Sequence, residues 1–130
     1  MKVIDGKNAI LGRLASYVAK EALKGEKIVI LNCEQMIITG KKKNIEENFE
    51  EKWKRGGSSQ KGPIHHKVSE KIVKRTIRGM LPNHREGRGK KALKSIMCYD
   101  GVPKEFEEAK KITAGKGTKT KFIKIKELLK

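Results

Sequence analysis

KVIDGKNAILGRLASYVAKEALKGEKIVILNC, residues 2 to 33, is the stretch that decides the fold. Lys2 to Asp5 form a short extended run closed by Gly6. From Leu11 the apolar residues recur as Leu11, Leu14, Ala15, Val18, Ala19, Ala22 and Leu23, the 3.6-residue period of a helix with one buried face. Asn8 is placed to cap that helix and Gly25 to stop it. Lys27 to Cys33 then carries Ile28, Val29, Ile30 and Leu31 without a polar interruption. Such a run suits a central strand covered on both faces better than one with a wet side. Strand, helix and strand in so short a span make a βαβ unit, because the crossover returns the chain to the end from which it started. Part of the sheet is therefore expected to be parallel.

Working outward, CEQMIITG (33–40) leads into KKKNIEENFEEKWKR (41–55), where Ile45, Phe49 and Trp53 fall four apart on a narrow apolar stripe and predict a surface helix. Lys42 with Glu46, Lys43 with Glu47 and Glu50 with Lys54 stand at i,i+4, a spacing that supports an exposed helix by about 0.2–0.5 kcal/mol per pair. RGGSSQKGPIHHK (55–67) has almost nothing to bury and reads as a loop. Ser69 is placed to cap the next helix, 69–81, in which Ile72, Val73, Thr76, Ile77, Met80 and Leu81 face inward while Lys71, Lys74, Arg75 and Arg78 face out. Pro82 ends it, a basic glycine-containing loop follows, and a short helix near Lys90 to Ile96 is expected to run into a strand around Ser95 to Tyr99. Residues 56–67 and 83–89 lack the apolar groups to offset the entropy of being held still without a partner. Lys104 to Ile112 reads as a short helix resting on Phe106, Ala109 and Ile112. TAGKGTKTK (113–121) has linker composition, and FIKIKELLK (122–130) reads as a strand turning into a terminal helical turn.

A length of 130 residues suits one domain, with a core over 2–112 and a linker-like extension over 113–130. No apolar run approaches the roughly 20 residues of a membrane span, and MKVIDGK lacks a signal peptide's apolar stretch, so a cytoplasmic protein is expected and no membrane partner. The formal charge of +17 exceeds what solubility requires and calls for a polyanionic partner. It is concentrated: residues 52–94 hold 14 Lys and Arg against Glu70 and Glu86 alone, whereas residues 1–51 hold 9 against 8 acids. That imbalance is the footprint of nucleic-acid binding.

The constellations that a catalyst needs are missing. Gly40 and Lys41 follow a strand, but a phosphate-binding P-loop needs a glycine where Gln35 stands and a Ser or Thr where Lys42 stands. DGKNAILG (5–12) opens a helix without GxGxxG. His65, His66 and His84 have no cysteine nearby, and no acid between Glu51 and Glu70 could orient a ring. Ser58 and Ser59 lack a base partner. Cys33 and Cys98 sit in apolar runs without CxxC spacing and read as buried thiols. No metal, cofactor or catalytic residue is expected. Few aromatics (one Trp, two Tyr, three Phe) argue against a stacking platform and for folded RNA as target.

VIDG with LGRLAS (3–6 and 11–16), IVILNCEQMIITGKK (28–42), and IRGMLP followed by a glycine-rich basic loop and ALKSIMCYDGVP (92–103) closely resemble the universal large-subunit ribosomal protein family L-thirteen, in its archaeal and eukaryotic form. The similarity covers residues 2–112. It implies an α/β domain of three layers, α/β/α, with a mostly parallel, approximately four-stranded sheet and basic loop extensions. It also implies a structural role in the large subunit, early in assembly, with no catalysis and no cofactor. The partners implied are large-subunit rRNA and neighbouring large-subunit proteins, with the protein a monomer outside the ribosome. Arg78 to Pro82 and the basic loop after them carry over as an rRNA-contacting element, although NHREGRGKK (83–91) is longer and richer in Arg than the commoner bacterial pattern. Together with the charge distribution, the candidate rRNA contacts are Lys41, Lys42, Lys43, Arg55, Lys61, His65, His66, Lys67, Lys71, Lys74, Arg75, Arg78, Asn83, His84, Arg85, Arg88, Lys90 and Lys91. Gly87 and Gly89 are expected to let backbone and Arg side chains approach a sugar-phosphate surface. Two other readings stand beside this one: an RNA-modifying enzyme, for which only Glu70 and Glu86 could serve as acids in the basic region, and a translational regulator that binds messenger RNA with the same surface.

Overall fold

β1 (Lys2–Asp5), α1 (Leu11–Leu23) and β2 (Ile28–Leu31) form the expected unit, with β1 and β2 parallel and Val3 opposite Val29. The structure is a computed structural model, and its described residues are 1–55, 65–115, 117 and 120–129. The chain continues through β3 (Ile37–Thr39), α2 (Lys42–Lys54), α3 (Ser69–Gly79), α4 (Gly87–Lys94), β4 (Ile96–Cys98), β5 (Lys111–Thr113), β6 (Phe122–Lys124) and α5 (Ile125–Leu128). The main sheet runs β4-β2-β1-β5 with every pairing parallel, and β3 pairs antiparallel with β6 beside it.

Alternation along the strands divides the core into layers. Ile4, Ile28, Ile30 and Ile96 lie in one cluster with the inner faces of α1, α3 and α4, and all four are fully buried. Val3, Val29 and Leu31 belong to the other face, covered by Tyr99, Val102, Phe106 and Ala109 from the segment after β4. The unbroken run in β2 thus reflects burial on both sides. Ala15, Ala19 and Ala22 on the buried side of α1 keep that helix close to the sheet. A smaller cluster, Ile45, Ile123 and Leu128 with Phe49 and Trp53, seats α2 against β6 and α5. The strand and terminal turn read in FIKIKELLK are both present.

Local expectations fail where tertiary pairing overrides them. Asn8 does not cap α1: its φ is +59°, its N–H donates to the Gln35 carbonyl, and the helix starts after Ile10. Residues 8–10 instead run beside β3, where Ile37 N–H donates to the Ala9 carbonyl at 2.8 Å. Ser69 does not cap α3 either. Its hydroxyl donates to Asp100 Oδ1 at 2.6 Å, tying the helix start to the turn after β4. That helix ends at Gly79, short of Pro82, so Leu81 is buried while Met80 is largely exposed. α4 starts at Gly87, three residues before the expected point. Lys104 to Ile112 holds one 3₁₀ turn, Lys104–Phe106, and then β5, because Ile112 pairs with Ile4 and that long-range partner leaves no local period to read.

Candidate nucleic-acid interface

α3 positions the site. Ile72, Val73 and Ile77 pack into the core, so the helical period turns Lys71, Lys74, Arg75 and Arg78 away from it. Facing that row stands the C-terminal end of α2, whose Phe49 and Trp53 are partly buried by the smaller cluster. Between them opens a cleft of about 870 Å³, with His65 and His66 on its wall and Arg85 and Leu93 also lining it. Six Lys or Arg line this cleft (Lys52, Lys71, Lys74, Arg75, Arg78 and Arg85), and among the described residues no carboxylate does. Like charges in a concave, low-dielectric setting focus a positive field into the opening. Lys74 Nζ also donates to the Ile96 carbonyl at 3.0 Å, which anchors the side chain to β4 and leaves its charge unneutralised.

His65 feels that field. Burial, and then Arg75, Lys52, Arg55 and Arg78, hold its imidazole below the usual histidine range, so it is neutral at pH 7. A neutral ring both donates and accepts hydrogen bonds, and it adds polarity to the wall without a seventh charge.

The structure gathers some of the candidate contacts and separates others. His65, His66, Lys71, Lys74, Arg75, Arg78 and Arg85 share the cleft. Arg55 follows α2 and does not line the cleft; it lies 3.9 Å from Glu51. Lys67 does not line the cleft; its Nζ lies 5.1 Å from the centre of the Trp53 ring, in a recess beside α5. Lys41, Lys42 and Lys43 sit at the far end of α2, roughly 18 Å along the helix from Trp53 at 1.5 Å per residue, and Lys42 is 3.9 Å from Glu46. Asn83, Arg88, Lys90 and Lys91 are exposed and His84 half-buried, all outside the cleft. Asn83 Oδ1 accepts from Arg85 N–H, which shapes the turn that presents Arg85. Lys61 lies outside the described residues, as does most of the loop read at 55–67.

Gly89 does not serve ligand approach. A Cβ there would lie 1.6 Å from the Pro82 carbonyl oxygen, so the bare Cα lets the first turn of α4 dock on the chain's own backbone. Gly87, at φ +64°, turns the chain into that helix. Charge reading alone missed Phe49, Trp53 and Lys52 in the wall. The signal was available: Lys52 adjoins the Ile45, Phe49, Trp53 stripe and borders whatever that stripe faces.

Residues 1–105 match the family described as Ribosomal protein L13. The chain is similar to the large ribosomal subunit protein uL13 of Methanopyrus kandleri, 49% identical over 107 residues that cover 82% of this chain and 66% of that protein. It is 42% identical to uL13 of Archaeoglobus fulgidus over 97% of this chain and 83% of that protein. For uL13 of Methanocaldococcus jannaschii the identity is 43%, over 100% and 96%. The chain thus spans just under two thirds of the Methanopyrus relative and nearly all of the Methanocaldococcus one.

Proposed function

This chain belongs to the ribosomal protein L13 family, and we propose on that basis that it is a structural constituent of the large ribosomal subunit that holds rRNA in the cleft between α2 and α3. It is a ribosomal component and not an enzyme, and its place is the cytoplasmic large subunit. The observation that carries the binding reading is the cleft wall: six cations with no carboxylate among the described residues. Phosphate oxygens would complete that wall, with Arg75, Arg78 and Arg85 offering planar forks and the lysines point charges. The exposed Arg88, Lys90 and Lys91 on α4, and Lys41 to Lys43 at the start of α2, would reach further phosphates beyond the cleft.

The partners are large-subunit rRNA and neighbouring ribosomal proteins, and the protein outside the ribosome is a monomer. Its core closes on its own helices and strands, which supports folding as one domain before RNA is bound and joining the subunit early. A messenger RNA offers the same phosphates, and the same surface would take it in a regulatory role.

Binding to a folded large-subunit rRNA fragment, measured over a salt series, tests this reading. Six phosphate contacts in the cleft, each releasing counterions, contribute about −4 to −5 to the slope of log affinity against log salt, and each contact beyond the cleft steepens it by about 0.7 to 0.9 more. A flat dependence would remove the phosphate reading.

A further inference from the structure

Holding phosphates does not require an aromatic wall, yet the cleft has one. Phe49 and Trp53 stand 5.8 Å apart between ring centres, tilted 55° to one another, and both line the cation-rich opening. Trp53 is the chain's only tryptophan and is half-buried. It lines both the cleft and the recess of about 430 Å³ that Lys67 shares. Lys67 lines that recess and not the cleft, so its ammonium, 5.1 Å from the ring centre, sits on the recess side. Trp53 also borders the volume of the cleft. At about 870 Å³ that volume lies within the roughly 300–1,000 Å³ of pockets that enclose small organic ligands. A flat apolar surface ringed by Lys52, Arg75 and Arg78 fits a ligand that is itself flat and carries anions, which describes a nucleotide.

We propose that Trp53 stacks on one unpaired base of the bound RNA while the cations around it take the flanking phosphates. This rests on the rRNA-binding reading and adds that the RNA must extrude a base at the cleft, which a regular duplex does not do. One aromatic wall serves one base, so the scarcity of aromatics elsewhere is no obstacle. His65, whose ring both donates and accepts, stands on the same wall to meet the base edge.

The sole tryptophan makes the site its own probe. Two RNA hairpins are compared, one with a single bulged adenosine and the other with an abasic residue at the bulge. The bulged adenosine is expected to quench Trp53 emission and to bind about 5- to 150-fold more tightly than the abasic form, the range for a base on an aromatic ring. Trp53→Phe should keep that preference and Trp53→Leu should erase it. Equal affinity for both hairpins, with a steep salt dependence and unchanged emission, would overturn stacking while leaving the phosphate reading intact. A Trp53→Leu variant that weakens both hairpins equally would assign Trp53 to packing and would also overturn it. Absence of salt-dependent binding to either hairpin would take down both readings together.

Discussion

Replacing Arg78 and Arg85 together by Ala removes two of the six cations that line the cleft and none of the buried core. Each phosphate neutralised steepens the salt dependence of binding by about 0.7 to 0.9 in log-log slope, so the double variant, with two fewer contacts, should be shallower by about 1.4 to 1.8. Between 50 and 200 mM salt, the six-contact protein loses about 300- to 2,000-fold in affinity for an rRNA fragment, and the four-contact variant about 50- to 150-fold. Fluorescence anisotropy with a labelled fragment, repeated over the salt series, resolves that difference easily. Arg88→Ala is the control. Arg88 is cationic and exposed but stands on α4 outside the cleft, so its loss, at most one phosphate contact, should shallow the slope by no more than about 0.7 to 0.9. A double variant with the parent slope, or an Arg88→Ala protein with the same shallowing, would refute the assignment of the contact surface to the cleft.

Gly89→Ala drives a methyl group against the Pro82 and Asn83 carbonyls and should cost about 3 kcal/mol in urea unfolding, the upper end for overpacking, whereas Gly87→Ala meets no atom and should cost about 1–2 kcal/mol through its positive φ. Cys33→Ser places a hydroxyl at a fully buried position where the hydrogen bond with Cys98, and then burial, already push the thiol well above its usual range; it should cost about 1–3 kcal/mol of stability and leave the salt slope of RNA binding unchanged. His65 is held below the usual histidine range in the free protein, and nearby phosphates would raise it, so below neutral pH, where the ring begins to charge, complex formation takes up a proton. Affinity should therefore rise as pH falls through the histidine range, and His65→Ala should flatten that rise. The same depressed value makes the free protein less stable on acidification through the unfolded-state value of about 6.5.

The sheet and its main helices were legible because their signals are local. α1 carries seven apolar positions on a helical period, β2 an unbroken run, and Gly25 a stop at φ +93°. What escaped was decided by partners distant in sequence. β5 is three residues whose strand identity comes from pairing with β1, and Asn8 and Ser69, both good caps by type, were claimed by Gln35 and Asp100. The site divides the same way. An amphipathic period sufficed to put Lys71, Lys74, Arg75 and Arg78 on one face of α3, but no local rule sets α2 opposite them, so Trp53 and Lys52 entered the cleft unannounced. Nor does spacing separate Arg85 from Arg88, three residues apart, of which only Arg85 reaches the cleft.

The bare cationic wall also depends on where the acids went. Glu21, the most buried of them, accepts from Lys2 at 2.6 Å and Lys24 at 3.2 Å, and those ammonium groups hold its carboxyl below the usual range. Glu34 Oε2 accepts from Gly101 N–H, and Glu70 Oε1 from Asp100 N–H, so both tie the turn after β4 to the elements around it. Glu70 sits in the first turn of α3, where the helix dipole favours an anion, and Arg78 in the last, where it favours a cation. The two acids of residues 52–94 are accordingly Glu70, committed to the far end of α3, and Glu86, exposed ahead of α4. Neither reaches the cleft. Carboxylates that fasten loops and helix ends elsewhere stand away from Lys71, Lys74 and Arg78, and the fold thereby leaves a concave positive surface for a partner's phosphates to complete.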